Sequence, residues 1–305
     1  MKKILVTLFV LCCFCLCGCT VQTTKKMEIP KENYEKAGYA VKSYVKEDGT
    51  CVVTYSCLGV QNGIVKYLYL DQIEINPKTD RHEFTNKELE SAYGLGYNSD
   101  KGEWSIQVKA LESYIKNNNM TIDAINAIEV YEKDSEHKKV PQINTGLGAV
   151  CELDLTDFLD VINQAYNNSH ETKAMKLSAG ESVRVRQKDE RIEVQLAFIG
   201  TDYRYKVCFA ELETYILDAK IPGSVNALQT KRQTNGETIQ WKEEQEAFEE
   251  YIIGLNMLEI LNVETYDPGN GIETAMPQKG TDLAEVCSID LREILISIKS
   301  AGEHM

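Results

Sequence analysis

The sequence lacks the motifs on which most enzymes and metal sites depend. Its four histidines are scattered through polar segments and show none of the spacings that ligate a metal. It contains no Gly-x-Ser-x-Gly turn, no glycine-rich phosphate-binding loop and no His-Glu-x-x-His helix. No pair stands out as catalytic among 47 acidic residues, because most carboxylates solvate the protein surface. We therefore predict neither catalytic residues nor a metal site.

Basic tracts are also missing, and the formal net charge is −14. An acidic protein is repelled by nucleic acid and by anionic lipid, so nucleic acid is not an expected partner. The chain after residue 19 has no Cys-x-x-Cys pair, which argues against a zinc knuckle and a thioredoxin-like site. The partners that remain are proteins and small molecules.

Ten cysteines suggest a disulfide-rich protein, but half of them lie within the first 19 residues. Cys51 and Cys57 alternate with more polar residues in a predicted strand, and we interpret them as small buried apolar side chains. A disulfide is the alternative if the protein lies outside the cell. An odd number of cysteines remains after residue 19: Cys51, Cys57, Cys151, Cys208 and Cys287.

The first 18 residues are typical of a secretory signal. Lys2 and Lys3 precede a stretch dominated by apolar residues and cysteine, which closes with Leu16-Cys17-Gly18-Cys19. This ending resembles a lipobox, so we expect Cys19 to become the lipidated (palmitate-bearing) first residue of the mature chain. The stretch is shorter than the ~20 residues of a membrane span, and a short anchor or a buried helix is the alternative. The expected location is extracytoplasmic, anchored to the cell membrane by lipid on Cys19 through a polar tether over 19–35.

Two parts of the chain repeat each other. An offset of 137 pairs Trp104 with Trp241 and Ile115 with Ile252, and an offset of 136 aligns 141–165 with 277–301. The aligned segment has 11 identities in 25 positions, where unrelated sequences give about one or two. We predict tandem copies of one module, over 36–168 and 181–305, joined by a linker over 169–180. We expect each copy to bury a core without the other.

Each predicted copy begins with strands and continues with helices. Period-two alternation predicts strands that include Cys51–Cys57, Ile64–Ile73, 192–198 and 205–217. Apolar residues at helical spacing predict helices from Trp104, from Trp241 and after Asp154 and Asp290. Asp100 with Glu103 is predicted to cap the first, and a short strand is predicted at Val150–Leu153. Strands followed by helices predict an α+β fold, with an antiparallel sheet packed against helices in each copy.

Aromatic residues are the candidates for contact with a ligand or partner. Trp104 and Trp241 begin apolar helical stripes, so they are either core anchors or platforms for a ligand. Tyr93 and Tyr97 flank glycines in a segment of the first copy alone, which is typical either of an adaptable contact loop or of an ordinary loop with packed tyrosines.

Several segments carry a family resemblance. They run from Phe84 to Leu95, from Glu103 through Gln107 to Ile115, and from Cys151 to Leu155. These segments resemble uncharacterised extracytoplasmic lipoproteins of Gram-positive (Firmicutes-type) anaerobes, which look like distant relatives of small FMN-binding domains. The resemblance implies an α+β fold and, in flavin-carrying relatives, a Ser-Gly-Ala-Thr segment whose threonine takes the flavin phosphate.

The alignment places Glu152 and Ser288 at the flavin-acceptor position. Val150 and Val286 replace the glycine of that segment, which prevents a close backbone approach to a phosphate. The Glu152 carboxylate would repel a phosphate. The resemblance therefore implies a retained fold without covalent FMN.

The leading functional hypothesis is a non-enzymatic, membrane-tethered protein that binds an envelope protein or a small molecule. The alternative is a flavin-linked electron-transfer protein of the cell envelope. An envelope enzyme is a third hypothesis, for which no set of residues gives support.

Overall fold

The computed structural model describes residues 33–223, 232–234, 237–269 and 273–305. The predicted signal, Cys19 and most of the predicted tether lie outside these residues. Within the described ranges, no helix combines the length and the hydropathy needed to cross a bilayer.

The first half of the chain, up to residue 171, begins with three long strands and continues with helices. The elements of this half are β1 Lys36–Val45, β2 Cys51–Gln61, β3 Ile64–Ile75, α1 Asn86–Leu89, α2 Trp104–Asn117, α3 Ile122–Asn126, β4 Val130–Tyr131, β5 Val140–Pro141, α4 Thr156–Asn167 and β6 His170–Glu171. Short 3₁₀ turns follow α1 at Glu90–Ala92 and Leu95–Tyr97.

The second half repeats this order of long strands and then helices. The elements are β7 Lys176–Arg186, β8 Arg191–Thr201, β9 Val207–Asp218, β10 Arg232–Thr234, β11 Glu237–Ile239, α5 Trp241–Ile252, α6 Met257–Leu261, β12 Thr265–Tyr266, β13 Met276–Pro277, α7 Asp282–Val286 and α8 Arg292–Glu303.

Two antiparallel sheets dominate the fold. The first has the strand order β3-β2-β1-β6 and the second β7-β8-β9. Both contain a bulge near the end of the middle strand, at Gly59/Val60 and at Gly200/Thr201. Helices α2 and α4 pack on the first sheet, and α5 and α8 pack on the second. The predicted α+β class, with antiparallel sheets against helices, is confirmed.

The remaining faces of the two sheets pack against each other. One buried apolar cluster joins Tyr55 and Ile73 of the first sheet to Val194 and Leu217 of the second. A second cluster at the same interface contains Phe198. Each sheet therefore lies between helices and the other sheet, and the order of layers is helix, sheet, sheet, helix. The described residues from 33 to 305 accordingly belong to one compact unit. The expectation that each half buries a core without the other is wrong for this face of the sheets.

A glycine in each sheet allows the last helix of its half to cross closely. A Cβ at Gly38 would lie 2.2 Å from the carbonyl oxygen of Ala165, in α4. A Cβ at Gly180 would lie 2.0 Å from the backbone nitrogen of Ala301, in α8. Only glycine permits this approach of helix backbone to strand backbone.

Three local predictions differ from the structure. Val150–Leu153 is not a strand, because Val150 and Cys151 donate backbone hydrogen bonds to Leu147 in a helical turn. Glu103 is the N-cap residue of α2, but its side chain makes no capping bond and Asp100 takes no part. Strand β7 begins at Lys176, inside the segment predicted as a linker. Strand β1 was also not predicted from the hydrophobic periodicity of the sequence.

Candidate functional site

A groove on the first half collects three of the residues predicted from the sequence. It has a volume of about 700 Å³, and its wall includes Tyr44, Tyr93, Leu95, Trp104, Glu152 and Phe158. We call it the aromatic groove. Strand ends, the start of α2 and the start of α4 bring these side chains together. Its volume lies within the range of roughly 300–1,000 Å³ typical of small-molecule pockets.

Trp104 anchors the aromatic part of the groove. It is the first residue of α2 and is 4% exposed, so its ring belongs to the core of the first half. Its ring centroid lies 6.1 Å from that of Tyr93 and 5.9 Å from that of Phe158. The ring of Trp104 therefore packs in the core and also lines the groove.

Glu152 is held in place through its backbone. Its N–H donates to Oε1 of Gln107 at 2.8 Å, and Nε2 of Gln107 donates to the Gly102 carbonyl at 2.9 Å. The carboxylate of Glu152 has no hydrogen bond or ion pair within the described ranges. The groove thus offers a carboxylate that is free to bind a ligand.

The rim of the groove is acidic on balance. Its lysines are fewer than its carboxylates, which are Glu74, Glu136, Glu152, Asp154 and Asp157. Several of these carboxylates have partners: Glu74 pairs with Lys46, and Asp157 lies 2.7 Å from Lys42 Nζ. Partial burial opposes the ionisation of Asp154, but hydrogen bonds from Thr156 and Lys139 outweigh it and lower the pKa. The uncommitted negative charge of Glu152 therefore lies beside an aromatic surface.

The two predicted tyrosines of the 93–97 segment have different positions. Tyr93 packs against the core and lines the groove, and burial, with the nearby charge of Glu74, raises its pKa to about 12. Its hydroxyl therefore stays protonated at physiological pH. Tyr97 is 88% exposed and does not line the groove. The structure brings Tyr93, Trp104 and Glu152 together and leaves Tyr97 outside.

Trp241 and Ser288, which match Trp104 and Glu152 in the second half, already make hydrogen bonds within the protein. Trp241 is 5% exposed, and its indole N–H donates to Thr214 Oγ1 at 3.1 Å and to Gln245 Oε1 at 2.9 Å. The hydroxyl of Ser288 donates to the Glu244 carboxylate at 2.7 Å. These contacts give Trp241 and Ser288 structural roles.

The residues at the proposed acceptor positions do not fit a flavin phosphate. Glu152 adds negative charge to an acidic rim, and Ser288 contacts the Glu244 carboxylate. Either environment repels a phosphate dianion. We derive no chemistry through FMN.

Sequence reasoning missed Tyr44, Thr156, Phe158 and the charged segment 133–138 in the groove wall. Periodicity placed Phe158 within a helix, but nothing in the sequence indicated which strand ends that helix would meet. Tyr44 lies on β1, a strand that was not predicted from the sequence.

A buried polar cluster lies behind α1, away from the groove. Lys87 Nζ is 2.7 Å from Glu112 Oε1 and 3.6 Å from the centroid of the Tyr69 ring. Asp71 accepts from the Thr85 hydroxyl at 2.8 Å, and burial raises the pKa of Asp71 although Lys87 lowers it. The tyrosine hydroxyl of Tyr55 donates to Glu181 Oε2 at 2.8 Å, across the interface between the sheets.

Among the described residues, no group of histidine, cysteine, aspartate and glutamate has a geometry that could hold a metal ion. The five cysteines that the structure describes are free thiols, and Cys51 and Cys57 are buried, as predicted. No family model, no curated protein and no solved structure matches the chain.

Proposed function

We propose that this protein is a non-enzymatic, membrane-anchored extracytoplasmic lipoprotein that binds a small amphipathic cation in the aromatic groove. The observation that carries the proposal is the convergence of Tyr93, Trp104 and the unpaired Glu152 carboxylate on one cavity of ligand size. The anchoring part rests on the sequence of residues 1–19 alone.

The chemistry of the groove favours a cation with an apolar body. Aromatic rings attract cations through their negative faces, by about 0.5–2 kcal/mol depending on solvation. Glu152 supplies a carboxylate that has no competing ion pair within the described part of the chain, and the rim carries more carboxylates than lysines. An aromatic or aliphatic ammonium compound would place its apolar part near Tyr93 and Phe158 and its charge near Glu152.

The anchor is tested separately from the groove. We expect the Cys19→Ala protein to incorporate no labelled palmitate when it is expressed in a Gram-positive host, while the unaltered chain does. Label in the Cys19→Ala protein would contradict lipidation at this residue.

The groove is tested by tryptophan fluorescence, because the chain has two tryptophans and each half contains one. Trp241→Phe leaves Trp104 as the reporter, and Trp104→Phe leaves Trp241 as the matched control. We expect titration with tyramine, an aromatic ammonium whose own emission lies at shorter wavelength than that of tryptophan, to change Trp104 emission and leave Trp241 emission unchanged. Glu152→Gln in the Trp241→Phe background should weaken the response about tenfold. The same response from Trp241, or no response from Trp104 to tyramine, would contradict the proposal.

A further inference from the structure

A second cavity lies where the two halves of the chain meet. Its volume is about 590 Å³, and its wall is formed by residues 81–84 and 88, by β7 and by α8. The polar side chains in its wall include Arg81, His82, Glu181, Arg184 and Arg292. We call it the interhalf cleft. It shares no residue with the aromatic groove.

Two buried polar atoms in the wall of this cleft lack hydrogen-bond partners among the described residues. They are Oε1 of Glu181 and Nδ1 of His82. Glu181 is 5% exposed, and its other oxygen, Oε2, accepts a hydrogen bond from Tyr55 at 2.8 Å. An unpaired polar atom that is removed from water costs about 1–3 kcal/mol, so such atoms are uncommon in folded proteins.

The environment of Glu181 favours its neutral form at physiological pH. Burial, together with the nearby negative charge of Asp71, raises its pKa to about 8. Since Oε2 already accepts from Tyr55, the proton of the neutral carboxyl belongs on Oε1. That O–H is a donor for which the described part of the protein provides no acceptor.

The charged side chains of the cleft also leave donors unused. Among the residues that the structure describes, Arg81 donates only to backbone carbonyls, those of Lys78 at 3.4 Å and Asp80 at 3.2 Å. Within the same residues, Arg184 makes one long ion pair, 3.6 Å to Glu293. A guanidinium group has five N–H donors in a fork that matches two oxygens of one anion.

The carboxylates of the cleft, in contrast, already have donors. Glu83 accepts from the backbone N–H of Val185 at 2.8 Å, and Glu88 accepts from the backbone N–H of Thr85 at 2.8 Å. Glu293 pairs with Arg292 at 2.5 Å and accepts from the Ser182 hydroxyl. The hydrogen-bonding groups of the cleft that remain available to a ligand are therefore mainly donors.

From this imbalance we infer that the interhalf cleft binds a small oxyanion, a carboxylate or a phosphate, between the guanidinium groups of Arg81 and Arg184 and the unpartnered Oε1 of Glu181. The inference does not depend on the function proposed for the aromatic groove. Ionisation of Glu181 would replace its O–H donor with a negative charge. The affinity for the anion should therefore fall as the pH rises past the pKa of Glu181, about 8. The other charged or titratable groups that face Glu181 or share the cleft include Tyr55, Cys57, Tyr69, Asp71, Arg81, His82, Glu83, Lys87, Glu88, Arg184, Arg292 and Glu293.

The test is calorimetric titration of the full chain, purified in detergent, with succinate, inorganic phosphate and the neutral analogue succinamide. At pH 6.5 we expect heat of binding from an oxyanion and none from succinamide. Succinate alone assigns the cleft to carboxylic acids, phosphate alone assigns it to phosphoryl groups, and either result supports the proposal. Absence of binding by both anions would overturn it, as would equal binding of succinamide.

A pH series and three variants locate the binding. With the anion that binds, the dissociation constant should rise about tenfold per pH unit between pH 8.5 and 9.5, because each unit removes nine-tenths of the protonated carboxyl. Glu181→Gln keeps an N–H donor and should flatten this dependence. Arg184→Gln should weaken binding about tenfold, whereas Arg191→Gln, on the neighbouring strand and outside the cleft, should leave it unchanged. A pH dependence that persists in Glu181→Gln, or equal effects of the two arginine variants, would overturn the assignment.

Discussion

At the scale of single residues, the strongest electrostatic feature is the buried pair Lys87–Glu112. The side chains of both residues are 9% exposed, and Glu112 also accepts from the backbone N–H of Leu70 at 2.7 Å. Glu249, at the matched position of the second half, accepts from the backbone N–H of Leu212 at 2.6 Å. Burial raises the pKa of Glu249 to about 8. Lys87 therefore compensates a buried charge in the first half only.

Lys87→Met should lower the free energy of unfolding by about 3 kcal/mol, because it leaves the Glu112 carboxylate buried without its cation. Lys206→Met is the control, since Lys206 pairs with Glu259 at 2.6 Å on the surface. We expect the control to change the free energy of unfolding by less than about 1 kcal/mol. Urea unfolding at pH 7 measures both values. Equal losses in the two variants would contradict the role assigned to Lys87.

At the scale of elements, helices and strands were predicted best where large apolar side chains recur with the period of a helix or a strand. Helix α2 begins at Trp104 and α5 at Trp241, as predicted. Strands β2, β3, β8 and β9 contain or largely coincide with the predicted strands. Strand β7 was missed because Ser178, Gly180 and Ser182 lie under α8, where close packing requires small residues and removes the apolar alternation.

Matched hydrogen bonds recur in the two halves. Gln107 accepts from the backbone N–H of Glu152, and Glu244, at the matched position, accepts from that of Ser288. The backbone N–H of Leu155 donates to Lys139, and that of Leu291 donates to Ala275. This recurrence supports the proposal that the chain contains two related modules.

Gly180→Ala tests the close crossing of β7 by α8. The added Cβ would lie 2.0 Å from the backbone nitrogen of Ala301, so the helix must move, and we expect a loss of about 1–3 kcal/mol in the free energy of unfolding. Gly146→Ala is the matched control, because its Cβ would lie at an ordinary 3.5 Å from Tyr114 Cε2. Thermal unfolding followed by circular dichroism compares the two. A Gly180→Ala protein as stable as the control would contradict this packing.

At the scale of the whole molecule, the two sheets cover each other. Tyr55, Ile73, Val194 and Leu217 belong to one cluster, so either half alone would expose an apolar sheet face. Hydrophobic periodicity identified these faces as buried, but it could not say whether a helix or the other half would bury them. The same limit applies to the aromatic groove, whose members Tyr44, Glu152 and Phe158 meet only after the strands and helices have packed.

Residues 33–172 and 173–305, expressed separately, should therefore lack the cooperative unfolding of the full chain. The physical reason is the exposure of one sheet face in each fragment, which forfeits about 25 cal/mol per Å² of buried apolar surface. Calorimetry of the fragments and of the full chain provides the comparison. A fragment that melts cooperatively at the temperature of the full chain would show that the shared core adds little stability.

The central claim is that the protein carries a ligand in the aromatic groove of its first half. Native mass spectrometry of the protein purified from its own host tests this claim most directly. We predict a bound small cation on the unaltered chain and on Ser288→Ala, the matched position in the second half. The same mass should be lost from the double variant Tyr93→Ala, Glu152→Gln, provided that this variant melts cooperatively. An unaltered chain that carries no small molecule, or a ligand retained by the double variant, would contradict the account.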